Sequence, residues 1–81
     1  MKQLKPIVVH AIWDSEAGVW VATSDDVPGL VTEAETAEQL EAKLKVMIPE
    51  LLIENGLIAR TDHQEIPFHL HTERDSIAQC C

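Results

Sequence analysis

The spacing of apolar and polar positions changes character along the chain, and each change marks an element. After a basic start (Lys2, Lys5), Pro6 introduces Ile7-Val8-Val9-His10-Ala11-Ile12-Trp13, a β-branched and aromatic run with apolar residues at odd and even positions alike. That is the pattern of a strand with two apolar faces. Asp14-Ser15-Glu16-Ala17-Gly18 supplies turn formers, and Val19-Trp20-Val21-Ala22-Thr23 resumes the β-favouring sequence, so the two runs predict an antiparallel hairpin. Asp25-Asp26-Val27-Pro28-Gly29 interrupts again. Pro28 suits the second position of a type II turn and Gly29 the third, where φ is positive. Leu30 to Ala34 then reads as a short third strand.

Thr36 followed by Gln39 is a capping-box pattern, and Glu35 and Glu38 lie where the positive end of a helix dipole favours acids. Ala37, Leu40, Leu44, Met47, Ile48, Leu51 and Leu52 follow at helical spacing, one apolar stripe suited to packing on a sheet. Pro49 removes the amide bond to the Lys45 carbonyl and crowds that turn, which predicts a kink or a break near Ile48. Asn55-Gly56 supplies the stop. Beyond a polar connection from Arg60 to Gln64, Ile66, Phe68 and Leu70 alternate with Pro67, His69 and His71, a half-buried fourth strand. Pro67 cannot donate to a ladder and argues for an edge. The predicted order is β-β-β-α-β: an α+β domain with an antiparallel-dominated sheet and one main helix on one face. An ordered core from about residue 6 to 72 and a frayed tail over 73–81 are expected within a single 1–81 domain.

With 81 residues, 46% hydrophobic and 25% charged, the chain has the balance of one folded domain. A core this thin favours self-association. The longest apolar runs fall far short of the roughly 20 residues a membrane helix needs, and the amino terminus lacks a signal-peptide apolar segment, so a soluble cytoplasmic protein is expected. Cys80 and Cys81 are adjacent and have no other cysteine to pair with, which excludes an internal disulfide framework.

The charge changes the picture more. Fourteen acids against six Lys and Arg leave a formal charge of -8, which disfavours direct nucleic-acid binding. From Pro6 through Ala42 stand Asp14, Glu16, Asp25, Asp26, Glu33, Glu35, Glu38 and Glu41, with no Lys or Arg. Such one-sign crowding serves solubility or suits a basic partner.

Asp14, Glu16, Asp25, Asp26, Glu33 and Glu35 are also candidate metal ligands or acid/base groups, but they concentrate in turns, where acids are favoured because they are solvated. His69 and His71 form an H-x-H pair on one strand face with His63 upstream; two imidazoles make a loose site, and an exposed polar face is the simpler reading. His10, inside the apolar first strand, is expected to be a hydrogen-bonded, half-buried residue. Ser15 and Ser24 lack a nucleophile-elbow context, and Cys80 and Cys81 have nothing to position them against a base. No Gly-rich phosphate loop is present.

Gly18 to Thr23, then Asp26-Val27-Pro28-Gly29-Leu30-Val31-Thr32, then Thr36-Ala37-Glu38 resemble the core signature of HicB-type antitoxins: an aromatic-Val-Ala strand, an Asp-Leu-Pro-Gly turn, a Thr-containing strand and a Thr-capped helix. The likeness spans about Ile7 to Leu52. Ile7 to Ala11 with Met47-Ile48-Pro49-Glu50-Leu51-Leu52 is similar to a small bacterial family regarded as a HicB-related branch. The resemblance implies a partially preserved ribonuclease-H-like fold without catalytic acids, acting as antitoxin to HicA, a small basic mRNA-cleaving toxin with a double-stranded-RNA-binding-like fold. Two features depart from the pattern. Ala34 stands where many HicB proteins have Gly, and the DNA-binding segment that many carry has no counterpart in length or charge.

The leading expectation is therefore a non-enzymatic binding domain without metal or cofactor, self-associating through apolar sheet surface. Asp14, Glu16, Trp20, Asp25, Asp26, Glu33 and Glu35 would meet a basic partner, Pro28 and Gly29 would form a structural turn, and Thr36 would cap the helix. The alternatives are a residual metal-dependent hydrolase using Asp14, Asp25 and Asp26, or a self-assembling structural module.

Overall fold

A computed structural model describes residues 6–59 and 65–80. Four strands and one helix follow the predicted order: β1 (Ile7–Asp14), β2 (Val19–Thr23), β3 (Val31–Ala34), α1 (Ala37–Glu54) and β4 (Phe68–Glu73). The strands form one sheet in the order β3-β2-β1-β4. β1 pairs antiparallel with β2, β2 antiparallel with β3, and β4 parallel with β1. Because β3 and β4 point the same way from opposite edges, α1 must carry the chain across β2 and β1. A parallel return requires such a crossover, and a helix on the sheet face supplies it.

Strand alternation decides what the helix covers. Ile7, Val9 and Ala11 of β1, Ala22 of β2 and Ala34 of β3 are buried, and Leu40, Leu44, Ile48 and Leu52 bury against them from one stripe of α1. Val27 and Leu30 close the core from the connection before β3. Phe68 and Leu70 of β4, with Ile66 just before it, are half-buried and complete its flank. The helix lies nearest β3 and β2, so its grip loosens toward β4.

Among the described residues, no helix covers the other side of the sheet. Val8, Val19 and Val21 are half-buried there, while Ile12 (61%) and Val31 (66%) are largely exposed. The two apolar faces expected of β1 are thus one core face and one open face.

Local chemistry explains the boundaries. The Val27-Pro28-Gly29-Leu30 turn closes with the Leu30 amide donating to the Val27 carbonyl at 3.1 Å, and Gly29 has φ 84°. The Thr36 side chain accepts from the Gln39 amide at 3.1 Å, as a helix cap should. At the far end, the Asn55 side-chain amide donates to the Leu51 carbonyl (2.8 Å) and the Pro28 carbonyl (3.1 Å), joining the helix end to the turn.

Two expectations need correction. Of the kink or break expected near Ile48, the break does not occur: α1 is one helix with Pro49 inside it. The buried Leu44, Ile48 and Leu52 bracket Pro49, so tertiary packing holds both turns in one stripe despite the missing bond. Secondly, β4 extends through Glu73, one residue past the expected core, because it keeps pairing with β1 up to Ile12. β4 is an edge strand, as Pro67 implied, and the Pro67 carbonyl accepts from the Ile7 amide at 3.2 Å. The polar connection at 60–64, with His63, and Cys81 lie outside the described residues.

Candidate functional site

The acids of the Lys- and Arg-free stretch are all exposed: Asp14, Glu16, Asp25, Asp26, Glu33, Glu35, Glu38 and Glu41. The fold does not gather them into one cluster. Asp14 ends β1 at the hairpin, where its carboxylate accepts from the amides of Glu16 (3.0 Å) and Ala17 (3.2 Å). The Gly18 amide donates to the Asp14 carbonyl at 2.8 Å, and Gly18 takes φ 69°. Glu16, Glu35 and Glu38 share that end of the molecule, since Asp14 pairs with Val19 and Trp20 pairs with Ala34. Glu33 stands on the open face of β3, opposite Val21. Trp20 is half-buried and meets Trp13 edge-on, with ring centroids 5.3 Å apart, and the Arg74 guanidinium lies 4.3 Å from the Trp13 ring centroid.

Asp25 and Asp26 occupy the opposite end. The Asp26 carboxylate accepts from the Val8 amide at 2.8 Å, the Ser24 hydroxyl donates to the Val8 carbonyl at 2.6 Å, and the Asp26 amide donates to the Ser24 hydroxyl at 3.1 Å. β2 has ended at Thr23, opposite His10, so these two side chains take over the ladder for the next residue of β1. Ser24 and Asp26 therefore serve as a structural clamp. Only the tertiary pairing could disclose this, because the clamp spans 18 positions and depends on where β2 stops.

The three acids named in the hydrolase alternative are not brought together. Asp26 binds at Val8 and Asp14 lies six residues along the same strand, roughly 20 Å away at about 3.3 Å per residue. Asp14, Asp25 and Asp26 cannot share one ion. A pocket of ≈ 340 Å³ between Ile7, Leu52, Leu57, Ile58 and Ile66 has Asp26 at its wall, but that carboxylate is already engaged.

Among the imidazoles only His10 is placed differently from expectation. His10 is exposed on the open face and is not part of the core. Its partner across the β1–β4 pair is His71, the ring centroids standing 5.7 Å apart, and His71 lies 6.2 Å from His69. His69 and His71 are exposed and alternate with the half-buried Phe68 and Leu70, as the strand period implied. As placed, no three His, Cys, Asp or Glu side chains among the described residues converge on a common ion position. Cys80 is exposed, in the segment without regular secondary structure that follows β4. Among the described residues no helix is long and apolar enough to cross a membrane.

An open four-stranded mixed sheet with a single covering helix, and acids on its connections, defines a small α+β domain. The chain belongs to the family described as domain of unknown function DUF1902, whose model matches residues 6–79. It is similar to the solved structure of the hypothetical protein TTHA1013 from the extremely thermophilic bacterium Thermus thermophilus. That likeness has 53% sequence identity and a TM-score of 0.67, over 94% of this chain and 100% of that one. No curated protein matches the chain.

Proposed function

We propose that this chain is a non-enzymatic protein-binding domain of the antitoxin type, related to HicB, that masks a small basic HicA-like toxin. The observation that carries this reading is the exposure of all eight acids between Pro6 and Ala42, a stretch with no Lys or Arg in sequence, beside which the fold brings only Lys43, at the Glu33 carbonyl, and Arg74, over Trp13, among the described residues. Groups of one sign left in solvent raise the rate at which an opposite surface docks and orient it on arrival. The hairpin end, with Asp14, Glu16, Glu35 and Glu38 beside the half-buried Trp20, is the part of this field best suited to a basic surface. Trp20 gives it an apolar element of the kind that anchors interfaces.

Self-association belongs to the same proposal. Ile12, Val21 and Val31 share the uncovered face, and a second sheet laid on it would remove them from water.

Co-purification of the chain with the product of an adjacent small basic reading frame tests the reading. A complex that forms at low salt, weakens as salt rises and is lost in Asp14→Lys/Glu16→Lys supports it. If the two proteins ignore each other at low salt, the antitoxin role is wrong.

A further inference from the structure

We propose that His10, His69 and His71 form a transition-metal site spanning β1 and the edge strand β4, taking a borderline divalent ion such as Zn²⁺ or Ni²⁺. Three observations converge on it. His69 and His71 are two residues apart on one strand, so strand alternation sends both imidazoles to the same side of the sheet. His10 is the register partner of His71, which puts a third imidazole beside them from the neighbouring strand. All three are exposed on the face that α1 does not cover, so an ion can reach them from solvent.

The dimensions fit. Neighbouring strands about 4.8 Å apart, with about 6.7 Å between alternate residues, place the three Cβ atoms on a triangle with sides of roughly 5, 7 and 8 Å. Its centre lies about 4 Å from each corner. An imidazole nitrogen bonded to zinc at about 2.1 Å puts the metal roughly 5 to 6 Å from the Cβ, so one ion about 4 Å above the sheet satisfies all three. Three imidazoles on one tetrahedral ion have ring centroids roughly 5 Å apart. The observed separations, 5.7 and 6.2 Å, exceed that by little. The ring planes are inclined at 34° and 56° and do not meet on one ion as placed, so the site forms by rotation of exposed side chains about χ1 and χ2.

The surroundings favour a cation. The chain carries a formal charge of -8, and Glu73 follows His71 by two residues on the same side of β4. Its carboxylate lies too far along the strand to reach the ion but is near enough to accept a hydrogen bond from the His71 imidazole. Imidazole donors select zinc, nickel or copper over magnesium or calcium, which prefer oxygen. Because the ligands come from two strands, the ion would clamp the edge strand β4 to β1.

The test uses the full chain carrying Cys80→Ser and Cys81→Ser, which removes competing thiolates. Calorimetric titration with ZnCl2 and with NiCl2 is expected to show one ion per chain, and the imidazole NMR signals of His10, His69 and His71 to shift together. His71→Ala should weaken binding at least about 10-fold and His10→Ala comparably. Excess zinc at about 100 times Kd should raise Tm by roughly 10 to 20 °C, and His71→Ala should cut that rise by about half or more without altering the metal-free Tm. Absence of saturable binding at millimolar metal, unchanged affinity in His71→Ala, or one ion per two chains each overturns the site.

Discussion

Leu44→Ala probes most directly how α1 packs on the sheet. The leucine side chain has no solvent exposure and lies midway along the buried stripe of the helix. Its truncation removes three carbons, a transfer loss of about 2 to 3 kcal/mol at roughly 0.8 kcal/mol per buried methylene. A cavity contribution adds to this where the surroundings cannot collapse, and measured leucine truncations reach about 5 kcal/mol. Here relaxation is available. Beside Leu44, Pro49, Ile66 and Phe68 are only half-buried and border an open groove of ≈ 220 Å³, so they have room to shift toward the vacated volume. The expected loss is therefore about 2 to 4 kcal/mol. An 81-residue domain has about 4 to 12 kcal/mol in total, at roughly 0.05 to 0.15 kcal/mol per residue, so the variant should be visibly marginal. Urea unfolding followed through Trp13 and Trp20 gives the free energy, and a thermal scan should show Tm falling by about 10 to 25 °C. Val46→Ala is the internal control: two residues away and 59% exposed, it should change stability by less than about 0.5 kcal/mol. Equal effects from the two variants, or an unchanged Tm in Leu44→Ala, would mean that the stripe does not face the sheet.

Thr36→Ala should lose the acceptor for the Gln39 amide and destabilise by about 1 kcal/mol in the same assay, with Thr36→Ser restoring most of it. Asp26→Ala should strand the Val8 amide at the end of β1 and cost about 1 kcal/mol or more; hydrogen exchange at Val8 should accelerate well before exchange at Val9. Gly29→Ala probes backbone strain almost alone, because the added Cβ would meet the Leu51 side chain no closer than 4.0 Å. With φ at +84° the substitution should cost about 1 to 2 kcal/mol, and a neutral result would show that the turn relaxes into another type.

The hairpin, the Pro28-Gly29 turn, the Thr36 cap and the helix stripe were legible in the chain because each rests on chemistry between residues near one another in sequence. Period, capping and positive φ need no knowledge of the rest of the molecule. Only the folded arrangement decided the remainder. That β4 returns parallel to β1 brings His10 beside His71, that β2 stops at Thr23 recruits Ser24 and Asp26 to the Val8 backbone, and that one helix covers one face leaves Ile12 and Val31 in solvent. Pro49 shows the same division of labour: its local preference opposes a helix, and the burial of Leu44, Ile48 and Leu52 around it prevails. Contacts between distant positions depend on strand order and register, which arise when the whole core closes and which no short window of sequence contains.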